Sequence, residues 1–332
     1  MFDGKKILIT GGTGSLGQAL TKRLLQHNVD TVRIFSRNES DQIQMETSFN
    51  DAKLRFLLGD IRDKERLVRA TEDVDIVFHA AALKHVPKIE YNPFEAIKTN
   101  VIGSQNVIDA CLTNNVEKAI CVGTDKAVSP LNTYGATKLL MEKLFVTANN
   151  YLDPKKHPTK FIALRYGNVV GSSGSVIPIF IQQLKQKMEL TITDLNMTRF
   201  SITMDEALDF ILNASELGQG SEIFIPKLKA YSILDVKNTL QEMIGNYGEK
   251  NIGIRPGEKL HETLINKEEI RYSWKYKNLY LITPPHYPIF HPNVINDNYQ
   301  GIEKFEGIEE YSSDKVEKIS NQELKNIFKN LI

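Results

Sequence analysis

The sequence is short of cysteine, of charge imbalance and of long apolar runs, and each shortage removes a class of protein. Two cysteines, Cys111 and Cys121, in 332 residues are too few for a disulfide framework. Both stand in apolar stretches that read as core, which suits a reducing compartment. Lys plus Arg and Asp plus Glu number 41 each, so no net field draws the chain to nucleic acid or an anionic membrane. No apolar run approaches about 18 residues, and the first residues enter a strand pattern without a secretory signal profile, so a soluble cytoplasmic protein is expected. No Cys or His pair has zinc spacing, His79, His85 and His261 do not form a metal set, and no metal is expected. There is no internal repeat and no low-complexity tract. What remains, 41% hydrophobic and 25% charged, fits a compact enzyme-sized chain with one large domain and a smaller one.

Short β-branched runs alternate with helical periodicity through the first half: Lys6–Thr10, Val32–Phe35, Leu54–Leu58, Val74–Phe78, Ala119–Val122 and Phe161–Arg165. Repeated strand and helix units imply an α/β protein with a doubly wound parallel sheet. From Gly167 the pattern loosens through Gly171-Ser-Ser-Gly-Ser-Val-Ile-Pro178 and Thr193–Arg199, then returns to a strand at Glu222–Ile225. Residues 1–168, with a return segment near 200–225, are therefore expected to form the sheet domain. Residues 169–199 and 226–332 are expected to form a smaller α/β carboxy-terminal substrate domain. The tail after Pro284 is rich in Pro, Tyr, Asn and charge and ends in a helix near Asn321 to Leu331.

Gly11-Gly-Thr13-Gly14-Ser15-Leu16-Gly17 follows the first strand and opens a helix. Glycines there make the tight turn and let a pyrophosphate approach backbone N–H groups, so a dinucleotide is expected. The second strand ends in Ser36-Arg37-Asn38, where an NAD site usually places a carboxylate on the ribose 2′-hydroxyl. Arg37 suits a 2′-phosphate instead and favours NADP; the alternative leaves Arg37 as a surface charge with Glu39 on the ribose. Asp60 and Ile61 after the third strand suit adenine. Ala80, Ala81 and Ala82 after the fourth supply small residues where a nicotinamide ribose comes close, although ordinary tight packing also uses alanine.

Thr124-Asp125-Lys126 and Tyr134-Gly-Ala-Thr-Lys138 place an acid, an amine and a phenol within one short stretch. Tyr134 and Lys138 stand at i and i+4, so a helix puts them on one face, and an ammonium there favours the phenolate. A phenol titrates near pH 10, roughly three units too high for a base at neutral pH, and cationic neighbours would have to close that gap. A loop ion pair on the surface is the plainer reading of Asp125 and Lys126.

With the glycine loop, His79-Ala-Ala-Ala82, Asn100–Asn106 and Tyr134-x-x-x-Lys138 in order, the chain resembles the extended short-chain dehydrogenase/reductase family over nearly its whole length. Within it, Ala82–Pro87, Thr124–Ala127, Arg165–Gly171, Thr198-Arg199-Phe200 and Ile254–Glu262 resemble the inverting UDP-N-acetylglucosamine 4,6-dehydratases. Those enzymes make the first intermediate of pseudaminic acid. The resemblance implies a Rossmann-type sheet, NADP held also by Lys84, Tyr134 and Lys138, and a homo-oligomer, dimer or hexamer. It implies a redox-neutral reaction: Tyr134, assisted by Lys138, takes the 4-hydroxyl proton as C4 is oxidised, Lys126 takes the C5 proton, and Asp125 protonates the departing 6-hydroxyl. Thr124 completes the catalytic set. The substrate's diphosphate calls for Arg199 and Arg255, its ribose for Glu258, and other sugar or uracil groups for Lys84, Asn168, Val169 and Thr193. Ser173 stands where relatives usually carry arginine. Rival readings are a nucleotide-sugar 4-epimerase, a retaining 4,6-dehydratase, and a non-catalytic NADP-binding protein.

Overall fold

A computed structural model describes residues 1–150, 153, 155–172, 174–283, 295 and 298–332. Ser173 and most of the tail between Pro284 and Asp297 lie outside the described residues.

Six strands, β1 (Lys6–Thr10), β2 (Thr31–Ser36), β3 (Leu54–Leu58), β4 (Ile76–His79), β5 (Lys118–Val122) and β6 (Lys160–Leu164), fall within two residues of their sequence-based positions. With a strand at Ile223–Pro226 they run parallel in the order β3-β2-β1-β4-β5-β6 and then the return strand. The order reverses between β1 and β4, and there the carboxyl ends of the strands open a crevice. Ile7, Leu8 and Ile9 have no exposed surface. A strand apolar on both faces requires a covering on both, and two separate cores supply it. Leu20, Leu24, Phe210 and Ile211 cover Ile7 and Ile9. Val107, Met141 and Phe145 cover Leu8, Val77 and Cys121 on the opposite face.

The large sheet extends further than the sequence reading places it. Residues 226–332 were expected on the substrate side, yet Leu279–Ile282 pairs antiparallel with Ile223–Pro226. Ser273–Tyr276 and Glu303–Lys304 follow outward, giving ten strands. The cause is apolar: Tyr276, Leu279 and Leu281 are buried in the same core as Phe224. Lys277, at φ 51°, makes the turn between the two outer strands. The smaller lobe has its own core, in which Phe180, Leu184, Val236, Leu240 and Phe328 meet from helices Val176–Lys185, Ile233–Ile244 and Asn321–Lys329.

At the carboxyl end of β6, Arg165 is fully buried. Its five N–H donors are all engaged, on Glu142 at 2.5 and 2.9 Å, on Glu269 at 3.0 Å twice, and on the Leu264 carbonyl at 2.8 Å. This closed cluster joins β6 to helix Thr133–Thr147 and to the short helix Lys267–Ile270.

Candidate functional site

The glycine loop leads from β1 into helix α1 (Ser15–Leu24). A Cβ on Gly17 would lie 2.5 Å from Gly12, and one on Gly11 would lie 2.8 Å from the Ala81 backbone, so the loop presses directly on its own helix and on the end of β4. Helices α2 (Glu39–Phe49) and α3 (Lys64–Ala70) are capped by the side chains of Asn38 and Asp63, whereas the α1 cap is Gly14, with no side-chain bond and no acid in the first turn. Its leading N–H groups therefore face the crevice without a side-chain partner, the arrangement that binds a diphosphate.

That crevice is a cleft of about 770 Å³, a size that accepts an extended dinucleotide. Gly11, Thr13, Gly14, Ser15, Leu16 and Gly17 line one wall, Ser36, Arg37, Asn38, Asp60 and Ile61 the far end, and Ala80, Ala81, Ala82 and Lys84 the β4 side. Tyr134, Lys138, Asn168 and Val169 line the other end. Arg37 is half exposed and lies 3.4 Å from Asp60, which also pairs with Arg62 at 2.7 Å. Burial raises the Asp60 carboxyl, but hydrogen bonds from Arg62 and the charge of Arg37 outweigh it and hold the group below the usual carboxylate range. Arg62, which also lines the cleft, adds a second guanidinium at this end. Glu39 lies in the first turn of α2.

Helix Thr133–Thr147 starts on Asn132, whose side chain accepts from the Gly135 N–H at 2.8 Å and donates to the Gly257 carbonyl at 2.9 Å. A Cβ at Gly135 would meet the Lys126 carbonyl at 2.2 Å; glycine there lets the helix rest on the Asp125–Ala127 turn. Tyr134 and Lys138 are thus brought beside Thr124, Asp125 and Lys126. Lys138 is buried and donates to the Val122 carbonyl at 2.6 Å. Burial lowers its ammonium to about 8. Burial likewise raises the Tyr134 phenol; among its neighbours Lys126 pulls it down, Asp125 pushes it up and a hydrogen bond with Thr124 pulls it down. The net direction is upward, so in this structure cationic neighbours do not bring the phenol to neutral pH.

Asp125 is completely buried. Its Oδ1 accepts from the Thr124 hydroxyl at 2.9 Å and from Lys126 Nζ at 3.1 Å, while Oδ2 has no partner among the described residues. Lys126 Nζ also donates to Asn168 Oδ1 at 3.0 Å and lies 3.5 Å from Glu262 Oε1. Three oxygens around one nitrogen fit an ammonium with three protons. Burial opposes the charge, but Asp125 and Glu262 more than offset it and hold Lys126 above the ordinary lysine value. The neutral amine needed to take the C5 proton is therefore not its resting form.

On the smaller lobe the expected residues differ in kind. Arg255 is half exposed and pairs with Glu258 at 3.8 Å. Thr193 donates to the Met197 sulfur at 3.2 Å. Arg199 departs from the open diphosphate ligand expected of it: its side chain is 11% exposed, and its terminal nitrogens donate to the carbonyls of Thr198, Leu260 and Lys259. It clamps the segment that carries Glu262, whose Oε1 is 3.9 Å from Arg199 Nε. His79 is a buried anchor bonded to Thr10 at 2.7 Å and Ser104 at 2.9 Å, and burial keeps it neutral by lowering it to about 3.

Sequence reasoning passed over three residues at the site. Glu262 and Tyr166 lay inside quoted motifs without a role, and Asn100 likewise. Tyr166 lines the cleft beside Gly167. Asn100 sits in a π-helical turn, Ile97–Ile102, accepts from the Leu83 N–H at 2.8 Å, and donates to the Leu83 carbonyl at 2.9 Å and to Thr137 at 3.0 Å. It therefore joins the loop bearing Lys84 to the helix bearing Tyr134.

The profile of a family described as polysaccharide biosynthesis protein matches residues 7–284. The chain belongs to that polysaccharide biosynthesis protein family. Its fold is that of the extended short-chain dehydrogenase/reductases. A UDP-N-acetylglucosamine 4,6-dehydratase (inverting) from Campylobacter jejuni is 50% identical over 286 residues, 86% of this chain and 84% of that relative. A UDP-glucose 4-epimerase from Rickettsia felis is 40% identical over 336 residues, covering 100% of this chain and 97% of the relative. Among solved structures, Pen from Bacillus thuringiensis is 37% identical with a TM-score of 0.90, covering 100% of this chain and 98% of that one.

Proposed function

We propose that this member of the polysaccharide biosynthesis protein family is an NADP-dependent UDP-N-acetylglucosamine 4,6-dehydratase that inverts C5, giving UDP-2-acetamido-2,6-dideoxy-β-L-arabino-hex-4-ulose. The carrying observation is the buried Asp125 side chain, its Oδ1 3.1 Å from Lys126 Nζ, set against the Tyr134 helix at one end of a dinucleotide-sized cleft. The likeness to the Campylobacter jejuni enzyme supports the same substrate and product.

The free N–H groups of α1 and the glycine wall would hold the cofactor diphosphate, Arg37 with Ser36 and Asn38 the 2′-phosphate, Asp60 and Ile61 the adenine, and Ala80 to Ala82, Lys84, Tyr134 and Lys138 the nicotinamide end. When bound, NADP would supply a two-electron acceptor for C4 and return the same electrons to C6, after which C5 takes a proton on the face opposite the one it lost and is inverted. Tyr134 takes the 4-hydroxyl proton, with Thr124 donating to the developing phenolate and Lys138 adding positive charge. The 4-ketone acidifies C5, whose proton passes to Lys126. Asp125, carrying its proton on Oδ2, gives it to the leaving 6-hydroxyl. Asn168, bonded to Lys126, orients the amine. The smaller lobe takes the UDP portion, with Arg255 on the diphosphate, Glu258 on the ribose, and Lys84, Val169 and Thr193 around the remaining groups. We place the enzyme in the cytoplasm as a homo-oligomer.

The full-length likeness to the Rickettsia felis relative favours a second reading, 4-epimerisation. Purified protein incubated with UDP-N-acetylglucosamine separates the two by mass spectrometry. Loss of one water from the sugar nucleotide is expected, with inverted C5 visible by proton NMR in deuterated water. An unchanged mass with an altered C4 configuration supports the epimerase instead, and no product refutes both.

A further inference from the structure

Asp125 and Lys126 adjoin in sequence, but the third charged member of their cluster arrives on the segment after Gly257. Glu262 is 3% exposed and lies 3.5 Å from Lys126 Nζ through Oε1, while its Oε2 has no partner among the described residues. Its position is fixed from behind: its N–H donates to Ser313 Oγ at 2.9 Å, its carbonyl accepts from the Ser313 N–H at 2.8 Å, and Arg199 clamps the residues just before it. A buried carboxylate with one bare oxygen is costly as a purely structural group, because the desolvated oxygen has no compensating bond. Asp125 shows the same feature on the other side of Lys126.

Two half-bonded carboxylates therefore flank one ammonium, and the mechanism leaves a difficulty that this arrangement answers. Lys126 rests as an ammonium, hydrogen-bonded to Asp125 and Asn168 with Glu262 Oε1 in ion-pair range at 3.5 Å, so it has no lone pair for the C5 proton until one of its protons leaves. Asp125 is an unsuitable recipient, since it must already hold the proton destined for the 6-hydroxyl.

Building on the dehydratase reading, we propose that Glu262 is a positioning residue that takes the Lys126 proton and so arms the amine as a base. The transfer runs from Lys126 Nζ to Glu262 Oε1, leaving a neutral amine and a neutral carboxylic acid. The amine lone pair then bonds the C5 proton, the C5–H electron pair enters the enolate, and Asp125 protonates the hydroxyl that departs as water. Lys126 now passes a proton to Asp125 and Glu262 returns its own to Lys126. All three groups regain their starting states, with one proton in from C5 and one out to water. The other titratable groups facing the trio are Arg199, Tyr134, Tyr231 and Lys259. Tyr231 is held neutral, burial raising it to about 12.

The test compares Glu262→Gln, which keeps shape but accepts no proton, with Glu262→Asp, which keeps the chemistry on a shorter arm. Three readouts are followed with UDP-N-acetylglucosamine: absorbance of the reduced nicotinamide, C5 deuterium exchange, and turnover against pH. Glu262→Gln should leave C4 oxidation intact, lower C5 exchange and turnover about 100-fold at neutral pH, and make the rate climb about tenfold per pH unit, because Lys126 must then lose its proton to solvent. Glu262→Asp should recover part of the rate and lose that added climb with pH, returning to the wild-type profile. A Glu262→Gln enzyme with wild-type exchange and the wild-type pH profile overturns the proposal, as does a loss confined to C4 oxidation or matched in Glu262→Asp. Should Glu262→Gln melt early, the pH profile of Glu262→Asp decides, since a rate loss without any change of pH dependence means support of the fold only. Wild-type protein that releases no water from the substrate would instead sink the dehydratase reading itself.

Discussion

Two buried ion clusters lie near each other around helix Thr133–Thr147 and differ in one respect. Around Arg165 every donor has an acceptor, and both carboxylates, Glu142 and Glu269, are bonded in pairs. Around Lys126 the cation is satisfied, but Asp125 and Glu262 each keep one oxygen bare. The first cluster is complete within the chain and ties elements together. The second keeps Asp125 Oδ2 and Glu262 Oε2 without a partner among the described residues, at the cation to which the proton transfers are assigned. Saturation, rather than charge or burial, separates a group that holds the fold from a group kept ready to react.

Substitutions that leave shape unchanged test this contrast. Asp125→Asn should cut turnover by about 10³-fold while dinucleotide binding and melting stay near wild type, because a bare buried oxygen supports little; turnover is followed by mass spectrometry and binding by calorimetry. Glu142→Gln should do the reverse, costing about 3 kcal/mol in urea unfolding by leaving the buried Arg165 charge only Glu269 as a counter-charge, with residual activity at low temperature. If the two variants behave alike, the distinction fails.

Lys138 sharpens the comparison through pH. Its folded value is about 8, below the ordinary 10.5. Between those values the unfolded chain holds a proton that the folded chain lacks, so stability from this group should rise as pH climbs from 8 toward 10.5. Turnover should move oppositely, falling as the ammonium beside Tyr134 discharges near pH 8. Parallel urea and rate profiles expose any failure of that opposition. At the far end of the cleft, Arg37→Ala should weaken NADP binding by about tenfold to 100-fold and leave NAD nearly unaffected, read by titration calorimetry. Smallest is Asn38→Ala, which removes the α2 cap and should cost about 1 kcal/mol in thermal melts.

The parallel sheet was legible because β1 to β6 carry short, largely apolar runs separated by helical periodicity, and the glycine loop falls at the turn from the first strand into the first helix. The cleft wall from Gly11 to Ala82 was legible for the same reason: it follows strand ends in order. The outer hairpin at Ser273–Ile282 was not, since short mixed strands such as Ser273-Trp-Lys-Tyr276 lack such a run and their place at the sheet edge depends on core contacts with Phe224. Glu262 was missed because nothing local distinguishes it; only the fold carries it to Lys126. For Arg199 a sequence shows a guanidinium but not the three carbonyls to which it donates.

The wide turn at Ile97–Ile102 has a consequence for how this cleft tolerates change. A wide turn absorbs an extra residue locally and leaves the helix on either side in phase, so deleting one residue there would restore ordinary winding and remove the bulge that carries Asn100. Asn100 would then face away from Leu83 and Thr137, and the floor beneath the reacting sugar would lose its crossbrace although every strand of the sheet stayed paired.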